Sequence, residues 1–490
     1  MTDISNAAST EVGGYKIDVP FEHQYDSKQA AEVSYYMYRR LYPLAEPTIA
    51  TNGTAYSEFE IVPSQVFNLS KSYLDFDVLK PPPGVNTNTN FLHNGFVAAI
   101  DSIELTTAGG RQLVYLQNVP YMTKVMFRPT TSFDEFLSNP VSARTQPAPG
   151  DCGQFRNGMF HKNDSVSAAS PDVLGARVIT GAGGSPSIIN ELVVGVSNWV
   201  AGQTNGALGN RYSLPLNQFA GSLLSVNKDL YFGQTIRLRI TWNQGKFWGF
   251  ESVTAVTAAS QVPFANSPTL TNGRLRLAIQ ANPISENAIK QRVLTEGIYL
   301  NVPFTHTFKY NFTGIATGST ISPTRKINKS HGQRLLRIFT SVFNANSEAV
   351  GGAIYCQNYN SATGSMFTQV RSQLDGKNLQ DSNIMIADGD LYTYLQDRLE
   401  KSAGGSIQQL LNSSYMLDDW TPWKSKDSKQ GDTMVAGLSL AEERQYDITF
   451  TLTQLQGGAA ENVAITESLV YQFIVCQKLL SITKDGVVFE

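Results

Sequence analysis

Cysteine is nearly missing from this sequence. Its 490 residues contain three, Cys152, Cys356 and Cys476, too widely spaced for a framework of paired bridges. That usage suits a chain folded in a reducing cytosol or nucleus. Long apolar runs are missing as well: no stretch of about 18 apolar residues occurs, which excludes a bilayer-spanning helix. The opening MTDISNAASTEVGG is polar and acidic, without the apolar centre of a secretory signal, so secretion is not expected. Charge is scarce, at 16% of residues and a formal net of -3. Residues 1–50 carry four basic against seven acidic side chains, 4 - 7 = -3, which leaves the remainder balanced. Clustered Lys and Arg of the kind that neutralise phosphates are lacking, so direct sequence-specific binding of nucleic acid is not expected.

Catalytic spacing is equally sparse. Histidines 23, 93, 161, 306 and 331 form no HxxxH or HExxH, and no Cys-x-x-Cys joins them, so no metal site is expected. His306 lies on an apolar strand face and reads as a hydrogen-bonded core residue. No GxSxG stretch is present. The glycine-rich run at 176–187, ARVITGAGGSPS, lacks the third glycine of a dinucleotide fingerprint and any surrounding βαβ pattern, and reads as a surface loop. In YMLDDWTPW, Asp418 and Asp419 stand beside Trp420 and Trp423, the vocabulary of a sugar site. Glycosidases need two carboxyl groups that face each other, and adjacent residues diverge, so buried or interfacial aromatics are the favoured reading. Sequons at Asn52, Asn68, Asn163, Asn311, Asn328 and Asn412 are attributed to chance in a Ser/Thr/Asn-rich chain. No catalytic, cofactor-binding or metal residue is therefore assigned, and the chain is not expected to be an enzyme.

What the sequence does have is alternation. Ile236, Leu238, Ile240 and Trp242 share one strand face, with Arg237, Arg239 and Thr241 on the other. Leu275, Leu277 and Ile279 alternate with Arg274 and Arg276. Phe304, His306, Phe308, Tyr310 and Phe312 do so with Thr305, Thr307, Lys309 and Asn311, and the series at 446–453 repeats the pattern. Residues 469–480 are apolar on both faces, which predicts a central strand covered from both sides. One motif occurs twice: strand, Gly-Gly turn and strand at 99–113, with a short helix at 120–127, and strand, Asp-Gly turn and strand at 366–379, with a helix capped by Asp390 that runs to 402. Further helices are predicted at 132–139, 285–296 and, amphipathically, 27–41. Such a chain is all-β and exceeds one ordinary core. The expected division is an N-terminal arm with a short helix (1–50), a first barrel with long loop insertions (51–300) and a second barrel (301–490).

Three stretches carry a resemblance. SYLDFDVLKPPPG (72–84) followed by NGFVAAIDSIELTTAGGRQL (94–113), HGQRLLRIFTSVFNA (331–345), and the closing VYQFIVCQKLLSITKDGVVFE (470–490) resemble, in that order, strands of double-jelly-roll major capsid proteins. Those proteins belong to tailless icosahedral DNA viruses, including virophages and polinton-like viruses, and the similarity spans roughly residues 50–490. It implies two consecutive eight-stranded jelly-roll barrels with few short helices and long loops. It further implies a homotrimer of pseudo-hexagonal outline that tiles a shell, with penton and minor or cement proteins as partners. The helix expected at 27–41 either packs on its own domain or belongs to an N-terminal arm that docks on a neighbouring subunit or an internal membrane. The chain would reside in the virion after synthesis in host cytoplasm or nucleus. Insertion 145–210 would form an outward tower or a clasp within the trimer, and loop 429–436 or the stretch around Trp420 would serve similarly in the second barrel. The alternatives are a carbohydrate-binding or carbohydrate-active β-sandwich centred on Trp420 and Trp423, and a minor capsid or spike protein.

Overall fold

A computed structural model describes residues 9–12, 15–18, 35–79, 89–92, 99–122, 125–126, 210–252, 261–263, 265–313, 319–344, 367–385, 390, 394–395, 415–421, 437–452 and 467–490. The predicted helix at 132–139, the glycine-rich run at 176–187, the insertion at 145–209, the loop at 429–436 and most of the helix expected from Asp390 lie outside these residues.

Eight strands build the first sandwich: β1 (Tyr36–Leu41), β2 (Ala55–Ile61), β3 (Phe67–Leu79), β4 (Ile100–Thr107), β5 (Gln112–Gln117), β6 (Asn210–Pro215), β7 (Ile236–Trp242) and β8 (Thr269–Gln280). They hydrogen-bond as two antiparallel sheets, β1-β8-β3-β6 and β2-β7-β4-β5. The second sandwich uses β9 (Ile298–Thr313), β10 (Thr324–Ile327, preceded by a short segment Thr320–Ile321), β11 (Arg334–Asn344), β12 (Phe367–Leu374), β13 (Lys377–Asn378), β14 (Tyr415–Asp419), β15 (Arg444–Leu452) and β16 (Glu467–Thr483). Its sheets run β9-β16-β11-β14 and β10-β15-β12-β13. Counted within each half, both sandwiches have the order 1-8-3-6 over 2-7-4-5, the arrangement of a jelly roll, in which two Greek keys close one core.

The repeated hairpin seen in the sequence is strands four and five of each sandwich. In the first it turns through Gly110, at φ 78°, and leads to helix α1 (Val119–Met122). In the second it turns through Asp375 and Gly376, at φ 53° and 73°, the backbone that an Asp-Gly pair favours in a two-residue hairpin. Between the sandwiches, helix α2 (Pro283–Thr295) begins where Asn282 accepts from the amides of Ile284 and Ser285, with Pro283 at its first position. This matches the expectation for 285–296 to within two residues.

The helix expected at 27–41 is overturned over its last turn and a half, since Tyr36–Leu41 is strand β1, paired with β8 from Gln280 to Leu275. The row Tyr36, Met37, Tyr38 and Leu41 suits either period, and the open edge of β8 selects the extended form, because sheet pairing overrides weak local preference. Residues 19–34 lie outside the described part.

Burial follows the alternation. β7 shows Ile236, Leu238, Ile240 and Trp242 inward, as predicted. Trp242 packs edge-on to Phe76, ring centroids 4.8 Å apart, and its indole N–H donates to Ser57 Oγ at 2.8 Å. Trp242→Ala is expected to lower the stability of the first sandwich by about 3–5 kcal/mol, measured as a shift of its denaturant midpoint with circular dichroism otherwise unchanged.

Candidate functional site

The residues singled out for chemistry do not converge. His306 and His331 come together in the second sandwich, while His23, His93 and His161 lie outside the described residues, as do Cys152, Cys356 and Trp423. Among the described residues no group of three or more His, Cys, Asp or Glu side chains is placed to hold a metal ion. Cys476 is buried, and burial pushes its thiol up to about 12, which keeps it protonated and unreactive. Asn68, one of the sequon asparagines, is buried and donates to Asp229 at 2.9 Å.

Asp418 and Asp419 diverge, as their adjacency on a strand requires. Asp418 points into the second sandwich, where Tyr446 and Tyr394 each donate a hydroxyl at 2.6 Å and Ser372 donates at 3.1 Å. Gln380 ties this group together, its amide nitrogen reaching Ser372 Oγ at 2.7 Å and Tyr394 at 2.9 Å. Burial, then the Asp418 charge, pushes the Tyr446 hydroxyl well above the ordinary phenol range, so it remains a donor. Asp419 faces the other way, 3.1 Å from Arg337. Trp420 is partly buried against the core. The pair is therefore structural, and the geometry of a sugar-cleaving dyad is not formed by it.

The arrangement with the most consequence is the junction between the sandwiches. It grows from β9 and β16, which pair along 16 residues from Ile298 to Thr313. On β16, Val470, Gln472, Ile474 and Cys476 are fully buried on one face and Leu469, Tyr471, Phe473 and Val475 nearly so on the other, the double coverage predicted for 469–480. The first set lies beside Ile338, Thr340 and Val342 of β11 and faces the second sandwich. The other set faces the first sandwich: Tyr471 stacks on Tyr121 of α1 at 4.2 Å between centroids and 20° between planes. Beside it, Thr305 donates to the Gly221 carbonyl at 2.8 Å and Thr307 reaches the Gln117 carbonyl at 3.5 Å. Gly221 has φ 78°, and a Cβ there would fall 2.5 Å from Thr305 Oγ1. Only glycine meets both conditions. None of Tyr121, Gly221, Thr305 or Tyr471 is singled out by the sequence, because each belongs to a local pattern that also fits an ordinary strand or turn.

The outer face of the first sandwich carries a buried charge. Asp75 of β3 is inaccessible and is held by Arg274 at 3.2 Å and by Arg276, both on β8. The two arginines therefore point away from the core, as expected from their alternation, but serve as counter-ions. In the second sandwich, Tyr446→Phe is expected to cost about 1–3 kcal/mol, because it strips a donor from the buried Asp418 carboxylate; a urea titration of the variant checks this.

No protein-family model and no curated protein matches the sequence. Solved structures do match its shape. A chain of the quasi-atomic model of the PBCV-1 virus capsid superimposes with a TM-score of 0.53 at 10% identity, covering 94% of this chain and 97% of that one. A chain of the Sputnik virophage structure gives 0.53 at 11% identity, covering 97% and 92%. Two jelly rolls of identical strand order, matched from end to end by these chains, make this protein a double jelly roll of the kind found in those viral particles.

Proposed function

We propose that the chain is the major capsid protein of an icosahedral virus, a structural subunit whose three copies form a capsomer of pseudo-hexagonal outline. The duplication carries this reading. Two sandwiches with one strand order present two similar outer flanks per chain, so three chains offer six similar edges, and a hexagonal lattice site needs six. The capsid and virophage chains that share the fold support it. Low charge supports it too, since a neutral surface rich in Ser, Thr and Asn suits extensive lateral contact between subunits. Its place is the virion, following synthesis in host cytoplasm or nucleus. Its partners are further copies of itself, penton and minor or cement proteins, and an internal membrane met by the acidic N-terminal arm. The division into an arm over 1–50, a first jelly roll over 51–300 and a second over 301–490 belongs to this proposal, with β1 at 36–41 standing ahead of the first boundary, inside the stretch given to the arm. The role requires shape and self-complementarity, and no catalytic group.

Purified protein at neutral pH is expected to sediment as a trimer of 53.7 kDa chains and to form shells or hexagonal sheets in electron micrographs. A chain that stays monomeric across salt and pH, with no particles, overturns the proposal. Six edges are equivalent only while the sandwiches keep a fixed relation, so Gly221→Val should suppress particles. The strain at this backbone conformation is on the order of 1–3 kcal/mol, and circular dichroism of the variant should still report folded β-structure.

A further inference from the structure

β9 hands its side chains alternately to two neighbours. Thr305 and Thr307 reach the first sandwich, whereas Phe304, His306 and Phe308 point the other way, toward the turn between β10 and β11. In that turn sits His331. The two imidazoles lie 5.0 Å apart, and His306 Nε2 is 2.7 Å from the His331 carbonyl oxygen. His331 Nδ1 is in turn 3.3 Å from the Asn328 amide nitrogen and 3.1 Å from its side-chain oxygen. Aromatic rings enclose the pair, with Phe304 4.8 Å from His306 and Phe308 6.0 Å from His331.

The charged groups turned toward these rings are cations. From β10, Arg325 lies 3.5 Å over the Phe308 ring and acts on His331; from β16, Lys478 lies 4.2 Å over Phe304 and acts on both histidines. Cys476, also on β16, is protonated and contributes no charge. Neutral imidazoles fit this setting. An imidazolium would be desolvated and would stand among like charges.

We propose that the His306–His331 pair is an acid-sensitive latch: protonation drives β9 off its neighbours and releases the Thr305–Gly221 and Thr307–Gln117 contacts carried on the strand's opposite face. The thermodynamic sign follows from burial. It holds His306 down to about 4 against an ordinary 6.5 and lowers His331 as well. The loosened chain therefore takes up protons from about pH 6.5 downward, while the closed form resists until about 4. Between those limits the closed form loses stability as pH falls, and the loss levels off below the lower one.

The test uses unassembled full-length protein, so it stands or falls separately from particle formation. Hydrogen exchange is followed over residues 298–313 and 216–226 at pH 7 and pH 5, corrected for intrinsic rates, together with the thermal midpoint. Wild type should exchange faster in both segments at pH 5 and lose about 4 °C or more of its midpoint. His306→Phe combined with His331→Gln should flatten both responses. If the double variant does not fold, His306→Gln alone, which keeps a donor for the His331 carbonyl, should halve the acid-dependent shift. Unchanged exchange in wild type between the two pH values, or a variant as acid-sensitive as wild type, overturns the latch.

Discussion

A β-strand that is apolar on both faces must be covered twice, and β16, inside the sheet β9-β16-β11-β14, is such a strand. One side closes the second sandwich through Val470, Gln472, Ile474 and Cys476. Left open, the other would present Tyr471, Phe473 and Val475 to water as a continuous apolar stripe, the kind of surface that drives aggregation. The first sandwich supplies the cover, with α1 stacking Tyr121 on Tyr471 and the segment around Gly221 receiving Thr305. Burying a side chain of this size contributes roughly 1.5–3 kcal/mol, so the second sandwich depends on the first for part of its own stability. The relation between the two halves is thereby set by burial and refined by a few directional bonds.

Much of this architecture was legible in the sequence because strand burial has period two and leaves a plain record. Ile236 to Trp242, the arginine-flanked series at 274–280 and the run at 469–480 each occupy the strand and face their alternation implied. The twin hairpins were legible because Gly110 and the Asp375-Gly376 pair mark turns that few other residues tolerate. Residues 36–41 misled, since aromatic and aliphatic side chains there satisfy helical spacing while the decision lay with β8, more than 230 residues away. The junction was invisible for a related reason. Thr305 and Thr307 look like ordinary solvent-facing positions of a half-buried strand, and only tertiary structure shows that their water-facing side is another sandwich.

Buried carboxylates add register to this burial. Asp75 stands directly opposite Arg274 across β3 and β8, with Arg276 two residues along on the same face. Slipping β8 by one residue would turn both guanidinium groups into the core, and slipping β3 would turn the acid there; either parts the buried carboxylate from its counter-ions. Asp418 sits differently, inside the second sandwich and surrounded by hydroxyl donors from β15, β12 and Tyr394. Each acid is tied to strands far apart in the chain, so each favours one assembly of the sandwich over its near alternatives.

The order 1-8-3-6 also bears on how the chain is made. In each half the first strand pairs with the last, β1 with β8 and β9 with β16, and the last strand lies inside its sheet with partners on both sides. During synthesis, neither sheet can therefore close until its final strand has left the ribosome, and contacts this distant in sequence form slowly. A chain halted before β16 would leave β9 and β11 without the strand that joins them and would display the apolar faces meant for it. Translation must run almost to residue 483 before the second sandwich gains the strand that joins β9 to β11, so a chain cut short leaves two long strand edges unpaired.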